Sequence, residues 1–245
     1  MLRHGLIRQM TLCLGLVARA SAAGAEDVPP AHYPALPREA QSAQGFAPKG
    51  WIVEHSATGD LDGRAGPDLV FILRDTDPAK ILPREFAVEP LDTNPRILAV
   101  ALARGKTFRL ALANHTLIRR QESASVFDPF AEGGELTVAN RSFTVPLEFF
   151  ATIGSWTTYR NELSFRYRRG KFVLDRFRRE SLVRNTGKTQ TVTADYRAGT
   201  LRVVTGSNDS ERTATIRKRL RGPAPTIEAV GDGLGFDPEA AARKH

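Results

Sequence analysis

Two patterns of apolar and polar residues recur along the 245 residues. One is an unbroken apolar run, Leu69-Val70-Phe71-Ile72-Leu73, which predicts a strand covered on both faces. The other is a period of two, clearest in Thr157–Arg168 and Lys171–Arg179. With Arg169-Gly170 as a two-residue turn, Tyr167 faces Phe172, Phe165 faces Leu174 and Leu163 faces Arg176. Directly paired residues share a face of the sheet. Leu163, Phe165, Tyr167, Phe172 and Leu174 therefore form one apolar face, and Arg166, Arg168, Lys171 and Asp175 lie on the other with Val173.

The same reading gives further strands. Trp51–His55 is a first strand. Residues 97–103 and 106–112 form a hairpin turning at Arg104-Gly105, because Val, Ile, Thr and Phe flank a glycine turn. Residues 135–140 make a short strand, and the apolar stretch 142–153 ends at Gly154. Residues 191–196 and 200–205 pair around Gly199, and 212–220 alternate as a basic edge strand. Proline-rich segments 75–95 and 114–134 read as surface connections. The expected fold is all-β: one domain of mainly antiparallel, hairpin-connected sheet, with short helices near 37–44 and 238–243 and no full propeller. Residues 26–47 read as a proline-rich arm, 48–222 as the β domain and 223–245 as a flexible tail.

The first 25 residues change the picture. Arg3 and Arg8 precede a short apolar core, Met10–Ala18, and Ala23-Gly24-Ala25 is a small-x-small cleavage site. This is the form of a secretory signal, and it places the chain in the periplasm or outside the cell. The core is shorter than the ~20 apolar residues of a spanning helix, so no transmembrane segment follows signal removal. Cleavage removes Cys13, the single cysteine, and with it any disulfide or thiol chemistry.

Charge is unevenly spread. The whole chain is +8. Residues 26–155 hold 13 Lys+Arg and 17 Asp+Glu, a net of 13 − 17 = −4. Residues 156–222 hold 17 and 6, a net of 17 − 6 = +11. A basic second half suits an anionic partner, although net charge speaks first to solubility.

One stretch carries candidate chemistry. Asp60, Asp62 and Asp68 fall within nine residues among Gly59, Gly63, Gly66 and Pro67. Glycines let such a loop curl and aim several oxygens at one point, which hard cations need. Pro48-Lys49-Gly50-Trp51, Gly59-Asp60-Leu61-Asp62-Gly63 and Asp68-Leu69-Val70 together resemble the opening of a group of bacterial secreted proteins and lipoproteins with a single FG-GAP (VCBS-type) repeat. Asn94–Leu98, Phe127-Asp128-Pro129-Phe130 and Trp156–Tyr167 extend the resemblance over roughly residues 46–206. It implies an envelope location and a β fold. In calcium-binding loops of this kind, ligands occupy positions 1, 3, 5 and 9. Asp60, Asp62 and Asp68 match 1, 3 and 9, while Arg64 stands at position 5, where a guanidinium competes for the carboxylates. No cofactor is expected, and calcium is the one metal the loop brings into question.

Catalytic motifs are missing: no G-x-S-x-G elbow, H-E-x-x-H pair, Walker loop or dinucleotide fingerprint occurs. His55 precedes the acidic loop within reach of Asp60. Asp60 or Asp68 with Glu148 or Glu162 would be the carboxylate pair of a hydrolase, but nothing in the spacing selects them. The expectation is a monomeric, non-catalytic envelope protein. Its partner is another envelope protein, a glycan or an anionic surface, not a specific nucleic acid, and the basic hairpin residues Arg166, Arg168 and Lys171 contact it. A calcium-stabilised module and a carboxylate hydrolase are the alternatives.

Overall fold

A computed structural model describes residues 28–243, apart from Ala65, 85–89 and 131–134. The expected signal segment, residues 1–25, lies outside the described residues. The chain is all-β and antiparallel, with two short helices and no propeller. In order, the strands are β1 (Glu39–Ala40), β2 (Trp51–Gly59), β3 (Asp68–Asp75), β4 (Ile81–Leu82), β5 (Leu91–Asp92), β6 (Arg96–Arg104) and β7 (Thr107–Asn114). There follow β8 (Thr137–Ala139), β9 (Ser142–Phe149), β10 (Thr157–Arg168), β11 (Lys171–Val183), β12 (Lys188–Asp195), β13 (Thr200–Ser207) and β14 (Ser210–Arg219). Helices α1 (Ile227–Val230) and α2 (Pro238–Arg243) close the chain.

Two sheets form the body. One runs β1-β7-β6-β3-β2 and the other β14-β13-β12-β11-β10-β9-β8. β3 lies inside the first sheet, and its alternate residues serve two cores, as its double apolar pattern requires. Val70 and Ile72 join a large cluster with Phe143, Phe165 and Phe177 of the second sheet. Leu69, Phe71 and Leu73 join a smaller cluster on the opposite face.

The smaller cluster corrects the expected arm. Residues before Trp51 are part of the fold: β1 pairs with β7, Phe46 belongs to the smaller cluster, and Tyr33 and Leu36 pack against it. Phe46 is fully buried and stacks on Phe71 at 5.4 Å. The prolines set the path of this segment without preventing burial of its apolar side chains.

The expected flexible tail is also corrected. The carbonyl of Pro225 accepts from Leu174 N at 2.8 Å, and Ile227, Val230, Leu234 and Phe236 are buried in the main core. Fully buried Asn161 donates to the Gly233 carbonyl at 2.7 Å, and Arg179 donates to the carbonyls of Leu234 and Phe236. Glycine here permits close approach: a Cβ on Gly233 would stand 2.6 Å from a Leu147 methyl.

The β10–β11 hairpin differs from the simple register in one place. Tyr167 faces Phe172 and Phe165 faces Leu174, and Arg169 and Gly170 turn with φ of 49° and 83°. A bulge then leaves Asp175 without a partner, so Leu163 meets Phe177 instead of Arg176. The extra residue keeps apolar opposite apolar, since Leu163 and Phe177 are both fully buried. The earlier hairpin turns at Gly105-Lys106, one residue beyond Arg104-Gly105.

Candidate functional site

The acidic loop joins β2 to β3. Its three carboxylates each offer an oxygen within 4.8 Å of the others. Their partners assign different roles. Asp68 is almost fully buried; its Oδ2 accepts from Leu61 N at 2.7 Å and Asp62 N at 3.3 Å, and its Oδ1 accepts from Ala103 N at 2.8 Å. Both oxygens therefore tie the loop to itself and to β6. Asp62 accepts from Arg64 N at 3.0 Å and from Arg104 Nη1 at 3.1 Å. Asp60 accepts from Gly63 N at 2.6 Å and pairs with Arg141 Nε at 3.3 Å. The exposed Arg64 guanidinium lies 3.7 Å from Asp62.

Three guanidinium groups neutralise the cluster, and both Asp68 oxygens are engaged by backbone donors. The loop works as a clasp that starts the central strand. Arg64, expected to be the competing cation, is the weakest of the three, and Arg104 and Arg141 arrive from turns distant in sequence.

The other candidates separate. His55 sets its ring edge against Phe130 at 5.0 Å instead of meeting Asp60. His115 stacks on Tyr33 at 4.6 Å. Glu148 and Glu162 both flank Arg160 on the solvent face of the second sheet, and neither joins the Asp60, Asp62 and Asp68 cluster. Arg166 is bound to Asp175 at 3.3 Å and donates to the Asn140 carbonyl at 3.0 Å, which leaves it little freedom for a partner. Arg168 and Lys171, opposite each other beside the turn, are exposed.

The structure adds neighbours to that pair. A cleft of about 280 Å³ opens between the β6–β7 hairpin and the tip of the β10–β11 hairpin, lined by Arg64, Arg104, Arg109, Tyr167 and Gly170. Among the described residues no carboxylate lines it. Lys106, Arg109, Arg168, Arg169 and Lys171 are all exposed, and none makes an ion pair among the described residues. Sequence alone shows each basic turn but not that the two are neighbours.

Buried polar groups missed by the sequence reading are structural. Arg96, 3% exposed, makes paired bonds to Glu54 at 2.6 and 2.9 Å and to Asp128 at 2.8 and 2.7 Å. This fork joins β6, β2 and the connection after β7, and a guanidinium suits two carboxylates at once. Burial alone would lower the pKa of Arg96, but the two carboxylates outweigh it and raise the pKa. Burial likewise works to lower the pKa of Lys80, and bonds to Asp75 at 2.7 Å and Asp77 at 2.9 Å reverse the direction.

No family model, curated protein or solved structure matches this chain.

Proposed function

We propose that this chain is an exported, non-catalytic envelope protein that binds an anionic surface through its two basic turns. The observation that carries the reading is the cleft that brings Arg64, Arg104 and Arg109 beside Gly170 at the tip of the β10–β11 hairpin, whose Arg168, Arg169 and Lys171 are exposed and, like Arg109, free of ion pairs among the described residues. Like charges held close together repel each other, and a polyanion relieves that repulsion. The charged start and apolar core of residues 1–18 support export. His55 and His115 pack on aromatic rings, and Asp60, Asp62 and Asp68 face guanidinium groups and backbone amides, which supports binding over catalysis. Among the described residues no helix is long and apolar enough to cross a membrane.

Vesicle co-sedimentation tests the reading. The protein should bind vesicles containing anionic phospholipid and not neutral ones. Binding should weaken as salt rises, because screening shortens the reach of exposed charges. Each cation near an anionic surface contributes about 1 kcal/mol. Replacing Arg109, Arg168 and Lys171 together by alanine should therefore remove most of the binding. Equal binding to neutral vesicles, or an unaffected triple variant, would overturn the reading.

A further inference from the structure

β14 is the edge of the seven-stranded sheet, and all ten of its residues are exposed. It contributes nothing to either core and is held by pairing with β13. Its chemistry follows from the rows of side chains that cross the solvent face of the sheet. Directly opposite residues on neighbouring strands share such a row.

The first row runs Glu148, Arg160, Glu180, from β9 to β11, and charges of opposite sign stand next to each other. A second runs Glu162, Arg178, Thr193, Arg202, Arg217. A third runs Ser164, Arg176, Asp195, Thr200, Arg219. Toward β9 the arginines have acids: Arg160 pairs with Glu148 and Glu162, Arg178 with Glu180, and Arg176 with Asp195. Toward β14 these two rows hold no acid. Arg202 and Arg217 face each other directly, Arg219 ends the next row, and none of the three makes an ion pair among the described residues. A cleft of about 420 Å³ is lined by these three arginines. Like charges directly opposite each other destabilise a strand pair.

We propose that β14 is a docking edge for an extended acidic segment of a partner protein, which adds as an eighth strand. The edge supplies unpaired main-chain donors and acceptors, the means by which sheets capture extended peptides. The outer face supplies the specificity. Acids two residues apart on the added strand would stand beside Arg217 and Arg219 and complete both rows. A second copy of this chain would instead bring another set of unpaired arginines. This site is separate from the two basic turns and does not depend on them.

The test uses a fluorescent ten-residue peptide alternating glutamate with threonine and valine, a lysine counterpart, and a control with its glutamates in one block. Anisotropy should show the alternating acidic peptide binding at least tenfold tighter than the other two. Hydrogen exchange should slow at amides of 210–219 in its presence. Arg217→Glu with Arg219→Glu should reverse the preference toward the lysine peptide. Arg202→Glu, which supplies an internal acid, should weaken acidic binding severalfold. All three positions are exposed, and circular dichroism checks their folding. Replacing Arg109, Arg168 and Lys171 by alanine should leave peptide binding unchanged, which keeps this test distinct from the vesicle test. Binding without protection of β14, equal affinity for the block control, or a dimer that protects β14 without peptide would overturn the proposal.

Discussion

β3 and β14 are strands of similar length in opposite surroundings. β3 has eight residues, seven of them buried, and serves two cores at once. β14 has ten residues and buries none. Burial of apolar surface stabilises by about 25 cal/mol per Å², so β3 holds the first sheet between its two cores. β14 is left with main-chain bonds and charge. The strand that carries stability has little surface to offer a partner, and the strand with surface to offer carries little stability.

The largest break in this comparison should come from Phe71→Ala. Phe71 is fully buried against Phe46, and removing a buried aromatic costs about 3–5 kcal/mol in lost contacts and cavity. Urea denaturation would measure it, and a loss below 1 kcal/mol would mean that the outer cluster does not hold β3.

Asp68→Ala should follow, at about 2–3 kcal/mol. It leaves the amides of Leu61 and Ala103 without their charged acceptor, and hydrogen bonds to charged groups are the stronger kind. Millimolar calcium should leave the melting temperature of the wild type unchanged, because Arg104 and Arg141 already balance Asp62 and Asp60. A rise of several degrees, reversed by chelator, would show the clasp to be a metal site.

A smaller effect lies in the turn between β12 and β13. The Tyr196 hydroxyl is buried without a hydrogen-bond partner among the described residues, and burial pushes its pKa up to about 12 from 10.0. The folded state thus favours the neutral phenol. Its contribution is complete below pH 10, where both states are neutral, and is lost as pH rises from 10 toward 12, where the unfolded chain ionises first. Tyr196→Phe should be neutral or stabilising by up to about 1 kcal/mol at pH 7, since it removes an unsatisfied hydroxyl. It should also flatten the alkaline decline, and an unchanged decline in a pH series of melting curves would contradict this.

The smallest effect should be Ile216→Thr on β14, within about 0.5 kcal/mol of the wild type. A cost near that of Phe71→Ala would show that β14 is packed against something, and the contrast between the two strands would fail.

How far these strands were legible follows from the range of the signal. β3 was readable because five consecutive apolar residues have no polar face to turn to water. The β10–β11 and β12–β13 hairpins were readable because Gly170 and Gly199, with φ of 83° and 64°, sit between alternating runs. The exposed basic edge was readable for the same reason. The candidate sites were legible only in part. Asp60, Asp62 and Asp68 are neighbours in sequence and gather as expected, but Arg104 and Arg141, which neutralise them, come from other turns.

Sequence by itself determined what depends on residues a few positions apart: the all-β class, most strands, the Arg169-Gly170 turn and the basic second half. Tertiary structure alone decided what depends on residues far apart. It placed Asp175 in a bulge so that Leu163 could meet Phe177. It drew the proline-rich start and the glycine-rich end into the cores, where Phe46 and Ile227 are fully buried. It joined Arg96 to Glu54 and Asp128, and it set two basic turns beside one cleft. Periodicity fixes which face a side chain takes, but not which distant face it meets. That second choice is made by packing, where apolar surface is buried to high density and buried charges must find partners.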